Sequence, residues 1–268
     1  MFEPHVITLS NRVFSDLRKI AALLSVFARS KKRLQYYALD LSYHTLQTGL
    51  ATLPIYANIE CTGLCGTFSD ALLFVASLPA DRPRIFLSLG SIFGNGTFSD
   101  ALRLMKPWAE VMRKDDQMLL GMDGTQDEDK VWQCCNDAQG RWHAYLRNGL
   151  AQSNRLLGEI WYVREEWDVV GECYRAPMLP ETNMALRHRL IFRANTNVVC
   201  KPPSISWPKG TEIVNESYKY MPGDMEKQFD AAGLLEENRW QAPGEHVCKC
   251  KAPHHSSESG SQICLMCH

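Results

Sequence analysis

The chain has no run of like charges longer than Lys31-Lys32-Arg33, and its formal net charge is -1. Electrostatic capture of nucleic acid or of an acidic membrane surface is therefore not indicated. No apolar run reaches the length that spans a bilayer. The opening residues, Met1-Phe2-Glu3-Pro4-His5, lack the basic segment and apolar core of an export leader. No Ser-His-Asp arrangement or phosphate loop is visible, and Asn11 to Lys19 contains no glycine at all. Without an export signal, the 10 cysteines imply a reducing compartment and mostly unpaired thiols. The expectation is a soluble, cytoplasmic protein.

What remains is an ordinary globular composition, 45% hydrophobic and 22% charged over 268 residues, long enough to bury a substantial core. Asp16 to Arg29 carries Leu17, Ile20, Ala21, Leu24 and Phe27 at helical spacing, a stripe suited to packing on a sheet. A strand over Leu34 to Leu39 follows, then Ser42 as the cap of a helix from Tyr43 to Leu53. Ile59 to Gly66 is a weak strand or loop, Ser69 to Leu78 a helix, Ile85 to Leu89 a strand, and Ser99 to Arg113 a helix. Gly66-Thr67-Phe68-Ser69-Asp70-Ala71-Leu72 recurs at residues 96–102, which reads as two similar helix starts with Ser69, Asp70, Ser99 and Asp100 at capping positions.

Met118 to Asp123 is a further strand. Asp127 caps a helix through Cys135, and Gly140 to Leu157 is a long helix. The second half changes character: strands over 167–173, 187–194, 212–218 and 235–240 surround one clear helix, Asp224 to Ala232, with Gly233 as its C-terminal cap. Alternating strands and helices followed by antiparallel strands predict an α/β chain with a doubly wound, Rossmann-like sheet.

Two strands end in ways that suit a nucleotide-type cofactor. Tyr36-Tyr37-Ala38-Leu39-Asp40-Leu41-Ser42 closes on a carboxylate, and Arg84 to Leu89 breaks at once into Gly90-Ser91-Ile92-Phe93-Gly94-Asn95. Ligands of open parallel sheets bind beyond such carboxyl ends. These two segments, Gly66-Thr67-Phe68 and Asn215-Glu216-Ser217-Tyr218-Lys219-Tyr220 stand in an order that resembles the histidine-specific, S-adenosylmethionine-dependent methyltransferase family. The resemblance runs from about Asp16 to Pro243; the family includes ergothioneine enzymes and fungal ergot alkaloid relatives, and the tyrosine-rich spellings here look more like the fungal branch.

The resemblance implies a class I methyltransferase sheet and S-adenosylmethionine as the methyl donor. It implies that Asp40 accepts both ribose hydroxyls, that Gly66, Thr67 and Phe68 border the adenine, and that Gly90 and Ser91 let backbone approach the cofactor. Lys19 falls where the family pairs a lysine with the methionine carboxylate. On the substrate side it implies Asn95 and Ser217 as the catalytic pair of neutral hydrogen-bonding groups, with Cys135, Asn215 and Glu216 beside them. A strand alternates faces, so Glu216 and Ser217 point the same way only across a bulge. Asn95, after Gly94, also suits a left-handed turn.

Four departures shape the expectation. The glycine-rich loop before the first helix is replaced by Asn11 to Lys19, and no first strand is evident. Cys135 stands in place of a tyrosine that contacts the substrate carboxylate, and Asn215 in place of a glutamate of the histidine-specific members. After Pro243 the chain turns to Cys248-Lys249-Cys250, a low-complexity stretch and Cys264-Leu265-Met266-Cys267-His268. The expected organisation is a cofactor-binding part over residues 1–158, substrate-side strands over 159–243 completing the same domain, and a disordered Cys/His tail over 244–268. The chain reads as truncated at both ends, with an incomplete sheet. The expected activity is N-methylation of a small amino-acid-type amine, aromatic or prenylated tryptophan-like in preference to histidine. The alternatives are a non-catalytic remnant and a zinc module built on the tail.

Overall fold

The structure is a computed structural model that describes residues 4–9, 13–178, 184–200, 205–241 and 247–253. In chain order it contains β1 (His5–Leu9), α1 (Val13–Arg29), β2 (Leu34–Asp40), α2 (Tyr43–Leu50), β3 (Ile59–Cys65) and α3 (Phe68–Ser77). These are followed by β4 (Arg84–Ser88), α4 (Phe98–Val111), β5 (Gln117–Asp123), α5 (Glu128–Cys135) and α6 (Arg141–Leu157). Then come β6 (Trp167–Pro177), β7 (Met184–Ala194), β8 (Val198–Cys200), β9 (Ile205–Trp207) and β10 (Glu212–Tyr218). The last described elements are α7 (Pro222–Ala232), β11 (Asn238–Gln241) and β12 (Val247–Pro253).

The chain forms two compact units. One comprises Met1–Gly94, Phe98–Asp123 and Pro222–His268, the other Asn95–Thr97 and Gly124–Met221. These bounds differ from a division at residues 158 and 243, because α5 and α6 belong with the antiparallel strands.

The first unit is built on a sheet of order β11-β12-β5-β4-β1-β2-β3. Strands β1 to β5 run parallel, and β12 is antiparallel to both β5 and β11. Order reverses at β1: one half of the chain winds outward through β2 and β3, the other through β4 and β5. That reversal is the switch point at which open α/β sheets bind ligands. The buried positions of β1, β2 and β4, among them Val6, Tyr36, Ala38 and Leu87, pack against Ile20 and Leu24 of α1. Both helix residues belong to the stripe expected from the sequence. The expected Ser42 cap is in place, its side chain accepting the Thr45 N–H. The α3 start differs from expectation: Thr67 is the cap, reciprocated by Asp70, and Ser69 lies inside the helix.

The sheet is not incomplete at its N-terminal end. β1 occupies the central position, paired from His5 to β2 and β4. Its five residues are mostly apolar or β-branched and follow Pro4, but a run this short carries little periodicity. The Cys248-Lys249-Cys250 segment likewise lies in a strand, β12, with Cys248 opposite Met122 and Cys250 opposite Leu120. An alternation of cysteine and lysine over residues 248–251 is a strand period as much as a metal spacing. The final cysteines and His268 lie outside the described residues.

At the N-terminal edge of this sheet Arg84 is fully buried. Its guanidinium pairs with Asp116 at 2.5 Å, and donates to the carbonyls of Val75 and Val111 at the ends of α3 and α4.

The second unit holds an antiparallel sheet of order β10-β7-β6 and the β8-β9 pair. Trp161, Tyr162, Trp167, Leu190 and Phe192 form its core, and Trp161 lies 4.7 Å from Trp207, ring centre to ring centre. Trp161 and Trp167 are buried in this core, and Trp142 is half-buried. Trp132 is exposed on α5.

Candidate active site

In the first unit, the residues expected around a cofactor collect at the carboxyl ends of β2, β3 and β4. Asp40 is the last residue of β2, and only 5% of it is exposed. Its Oδ1 accepts the Ser42 N–H at 2.8 Å, and its carbonyl accepts the Gly66 N–H at 3.1 Å, which ties the ends of β2 and β3 together. Gly66 is close-packed for a local reason: a Cβ there would lie 3.1 Å from the Asp70 Cβ. Thr67 is engaged in the α3 capping box, where Asp70 accepts from both its N–H and its hydroxyl. Those two bonds hold the exposed Asp70 carboxyl below the usual range. Phe68 opens α3 with its ring edge-on to Trp108, 6.2 Å away.

Beyond β4 the backbone turns sharply. Gly90 is exposed, and Ser91 adopts φ 58°, one of two described non-glycine residues with positive φ. Asn95 does not share that conformation. Strain of this kind at a non-glycine residue persists only where surroundings over-determine it. Here the Ser91 Oγ accepts the Asp123 N–H at 3.0 Å, and Leu89 lies against β5 so closely that a Cβ on Gly121 would stand 2.7 Å from its carbonyl oxygen. Lys19 reaches the same corner from α1, its Nζ donating to that Leu89 carbonyl at 3.0 Å. Only three residues, Ser10 to Arg12, separate β1 from α1, and Val13 and Phe14 are helical. The first helix therefore begins at Val13, three residues before the expected Asp16.

The second unit brings Asn95 and Ser217 together. The Ser217 hydroxyl donates to Asn95 Oδ1 at 2.8 Å across 122 residues of sequence. Strand β10 pairs with β7 in unbroken register from Glu212 to Tyr218, with no bulge. Glu216 and Ser217 therefore point to opposite faces, and the structure does not place Glu216 beside Asn95. Glu216 instead accepts from the hydroxyls of Tyr174 and Tyr218, and lies 3.8 Å from Arg187. Burial and that carboxylate push the Tyr218 phenol up to about 12. Asn215, exposed and opposite Leu190, shares the Ser217 face by strand alternation. Cys135 is half-buried at the end of α5.

The Ser217 face holds residues that the sequence did not single out. Lys219, 8% exposed, donates from Nζ to Ser217 Oγ at 3.0 Å. His188 stands opposite Ser217 on β7, 2% exposed. Its Nε2 lies 2.8 Å from Asn136 Nδ2, whose own Oδ1 lies 3.1 Å from His143 Nε2. An amide nitrogen only donates, so His188 Nε2 accepts and the imidazole is neutral. Burial first, then the charges of Lys219 and His143, lower its pKa to about 4. Gly171 on β6 leaves room for this side chain, since a Cβ would fall 2.3 Å from Asn136 Oδ1. A histidine two residues before an apolar strand core was visible in the sequence, but nothing local marks it as neutral and buried. Among the described residues no cluster of His, Cys, Asp or Glu fits a metal ion, and no helix is long and apolar enough to cross a membrane.

A family model described as histidine-specific methyltransferase, SAM-dependent, matches residues 11–252 of the chain. Ergothioneine biosynthesis protein 1 of Neurospora crassa is 30% identical over 232 residues, covering 86% of this chain and 26% of that protein. The 4-dimethylallyltryptophan N-methyltransferase of Arthroderma benhamiae is 26% identical over 248 residues, covering 86% of this chain and 69% of that protein. The histidine N-alpha-methyltransferase of Mycobacterium tuberculosis is 28% identical over 194 residues, covering 72% and 58% respectively. The chain thus spans 26% of the first relative's length and 58% of the last's.

Proposed function

The chain belongs to the histidine-specific, S-adenosylmethionine-dependent methyltransferase family, and from that premise we propose that it transfers a methyl group from S-adenosylmethionine to the amine of a small amino-acid-type substrate. The observation that carries the proposal is the buried Asp40 carboxylate at the end of β2, beside the switch point of the sheet. A carboxylate accepts and hydroxyls donate, so Asp40 suits a ribose diol. Gly66, Thr67 and Phe68, at the adjoining strand end, border an adenine. Gly90 and the strained Ser91 bring backbone close to the donor, and the Lys19 ammonium suits the carboxylate of its methionine part.

S-adenosylmethionine supplies a methyl already activated on a sulfonium, so the protein's task is to present a lone pair. An ammonium has none. Asn95 and Ser217 are uncharged and offer no counter-charge that stabilises an ammonium, which favours the neutral amine. The gain comes from holding that nitrogen in line, about 3 Å from the methyl carbon. Solvent takes the proton beforehand, so no general base is required.

Asn215, in place of a glutamate, removes a charged partner for an imidazole. The substrate is therefore an aromatic or prenylated tryptophan-like amino acid in preference to histidine, in the manner of fungal secondary metabolism. We place the activity in a reducing, cytoplasmic setting, which the thiols of Cys61, Cys65, Cys134 and Cys173 support. The test is transfer of labelled methyl from S-adenosylmethionine to L-tryptophan, 4-dimethylallyltryptophan and L-histidine. Transfer to the tryptophan compounds ahead of histidine is expected, and transfer to none of them overturns the proposal.

A further inference from the structure

The hydrogen bonds around Ser217 have a direction. Lys219 is donor-only, so at 3.0 Å it uses a lone pair of Ser217 Oγ. The hydroxyl hydrogen is then sent to Asn95 Oδ1 at 2.8 Å. A flipped carboxamide would set two donors on one serine oxygen and take away the Asn95 acceptor that this hydrogen has. The relay therefore orients Asn95 with its oxygen inward toward Ser217 and its Nδ2 as the half available to a ligand. Asn95 is itself exposed.

Lys219 is held firmly enough to do this. Its N–H donates to the Leu186 carbonyl at 3.1 Å. Its carbonyl accepts from Gln126 Nε2 at 2.7 Å, while Gln126 Oε1 accepts the Leu186 N–H at 2.9 Å. One glutamine thus clips the end of β10 to the start of β7. The charged and titratable groups facing this end from the packed elements are His188 on β7, Cys173 on β6, Glu128 on α5 and His143 on α6.

A donor at Asn95 has a consequence for what it holds. An N–H aimed at the substrate amine would occupy the lone pair that must attack the methyl carbon. The same N–H aimed at a carboxylate makes a charge-assisted bond and leaves the amine lone pair open. We propose that Lys219 is a positioning residue which, through Ser217, fixes the Asn95 carboxamide as a donor to the carboxylate of a free α-amino acid, so that decarboxylated amines are refused. This rests on the methyl-transfer reading above and narrows its substrate class. It also gives the half-buried Cys135 a context: the carboxylate contact expected of a tyrosine at that position is supplied from Asn95 instead.

The experiment is calorimetry on the full chain saturated with S-adenosylhomocysteine, with two matched pairs as probes: L-tryptophan against tryptamine, and L-histidine against histamine. The wild type is expected to bind at least one acid about ten-fold more tightly than its amine. Lys219→Met is expected to lose that preference, Lys219→Arg to retain it, and Ser217→Ala to lose it with a smaller change of volume. A role in stability alone would alter the melting temperature without moving the acid-to-amine ratio. Equal binding of acid and amine in the wild type, binding of neither acid, or a preference that survives Lys219→Met overturns the proposal. Saturable S-adenosylhomocysteine binding alongside any of these leaves the cofactor reading standing. No binding of S-adenosylhomocysteine is the separate failure of that reading.

Discussion

Ser217 Oγ and Asn95 Oδ1 lie 2.8 Å apart, joined by a hydrogen bond across 122 residues of sequence. One residue comes from the segment after β4 and the other from the edge strand of a different sheet. Both residues belong to the second unit, so a contact of that sequence separation depends on its tertiary fold and is also a candidate element of chemistry.

If the pair acts as one device, its substitutions are not additive. Asn95→Ala and Ser217→Ala are each expected to lower the rate of methyl transfer by ten-fold or more, and the double variant to be little worse than either. Additive losses would show that the two residues act separately.

The buried pair Arg84–Asp116 is a stability feature remote from that chemistry, with 1% of each side chain exposed. Removing one partner of such a pair leaves an uncompensated buried charge and costs about 3–5 kcal/mol. Arg84→Met is expected to reach that range in denaturant unfolding, because Arg84 also holds the Val75 and Val111 carbonyls. A loss below about 1 kcal/mol, the range of surface pairs, would contradict its role as a pin.

His188 makes stability depend on pH. Its pKa falls from 6.5 to about 4 on folding, so the unfolded chain binds the proton more readily between those values. The stabilisation is complete above pH 6.5 and is lost as pH falls toward 4. The loss is on the order of 3 kcal/mol. Urea midpoints measured from pH 7.5 to 4.5 are expected to fall for the wild type and to fall less for His188→Gln. Parallel profiles would contradict the assignment.

Gly121 separates the cofactor corner from general stability. A methyl group there meets the Leu89 carbonyl at 2.7 Å, which is the same carbonyl that Lys19 bonds. Gly121→Ala is expected to shift residues 89–91 and weaken S-adenosylhomocysteine binding about ten-fold, an effect the size of one lost charged hydrogen bond. Unchanged affinity would show that this turn does not border the cofactor.

The sequence made most of the alternating elements legible because their periodicities are long and their caps conventional: Ser42 and Asp127 both accept the backbone bonds expected of them. β1 and β12 were hidden for opposite reasons. β1 is only five residues long, too short for its period to stand out, and β12 was masked by cysteines whose spacing suggests metal. Asp40 was legible since a strand ending on an acid is a local pattern. Lys219 and His188 were not, because what matters about them is burial and cross-strand neighbours, which depend on the β7–β10 register. The same register settles Glu216: alternation alone sends it to the Tyr174 and Tyr218 face.

The most direct test of the account is calorimetric titration of S-adenosylhomocysteine into the purified chain, with Asp40→Ala alongside. Saturable binding by the wild type that the variant loses is the predicted result. A folded, monodisperse wild type that gives no binding, or a variant that binds as tightly as the wild type, would contradict the claim that Asp40 holds the cofactor.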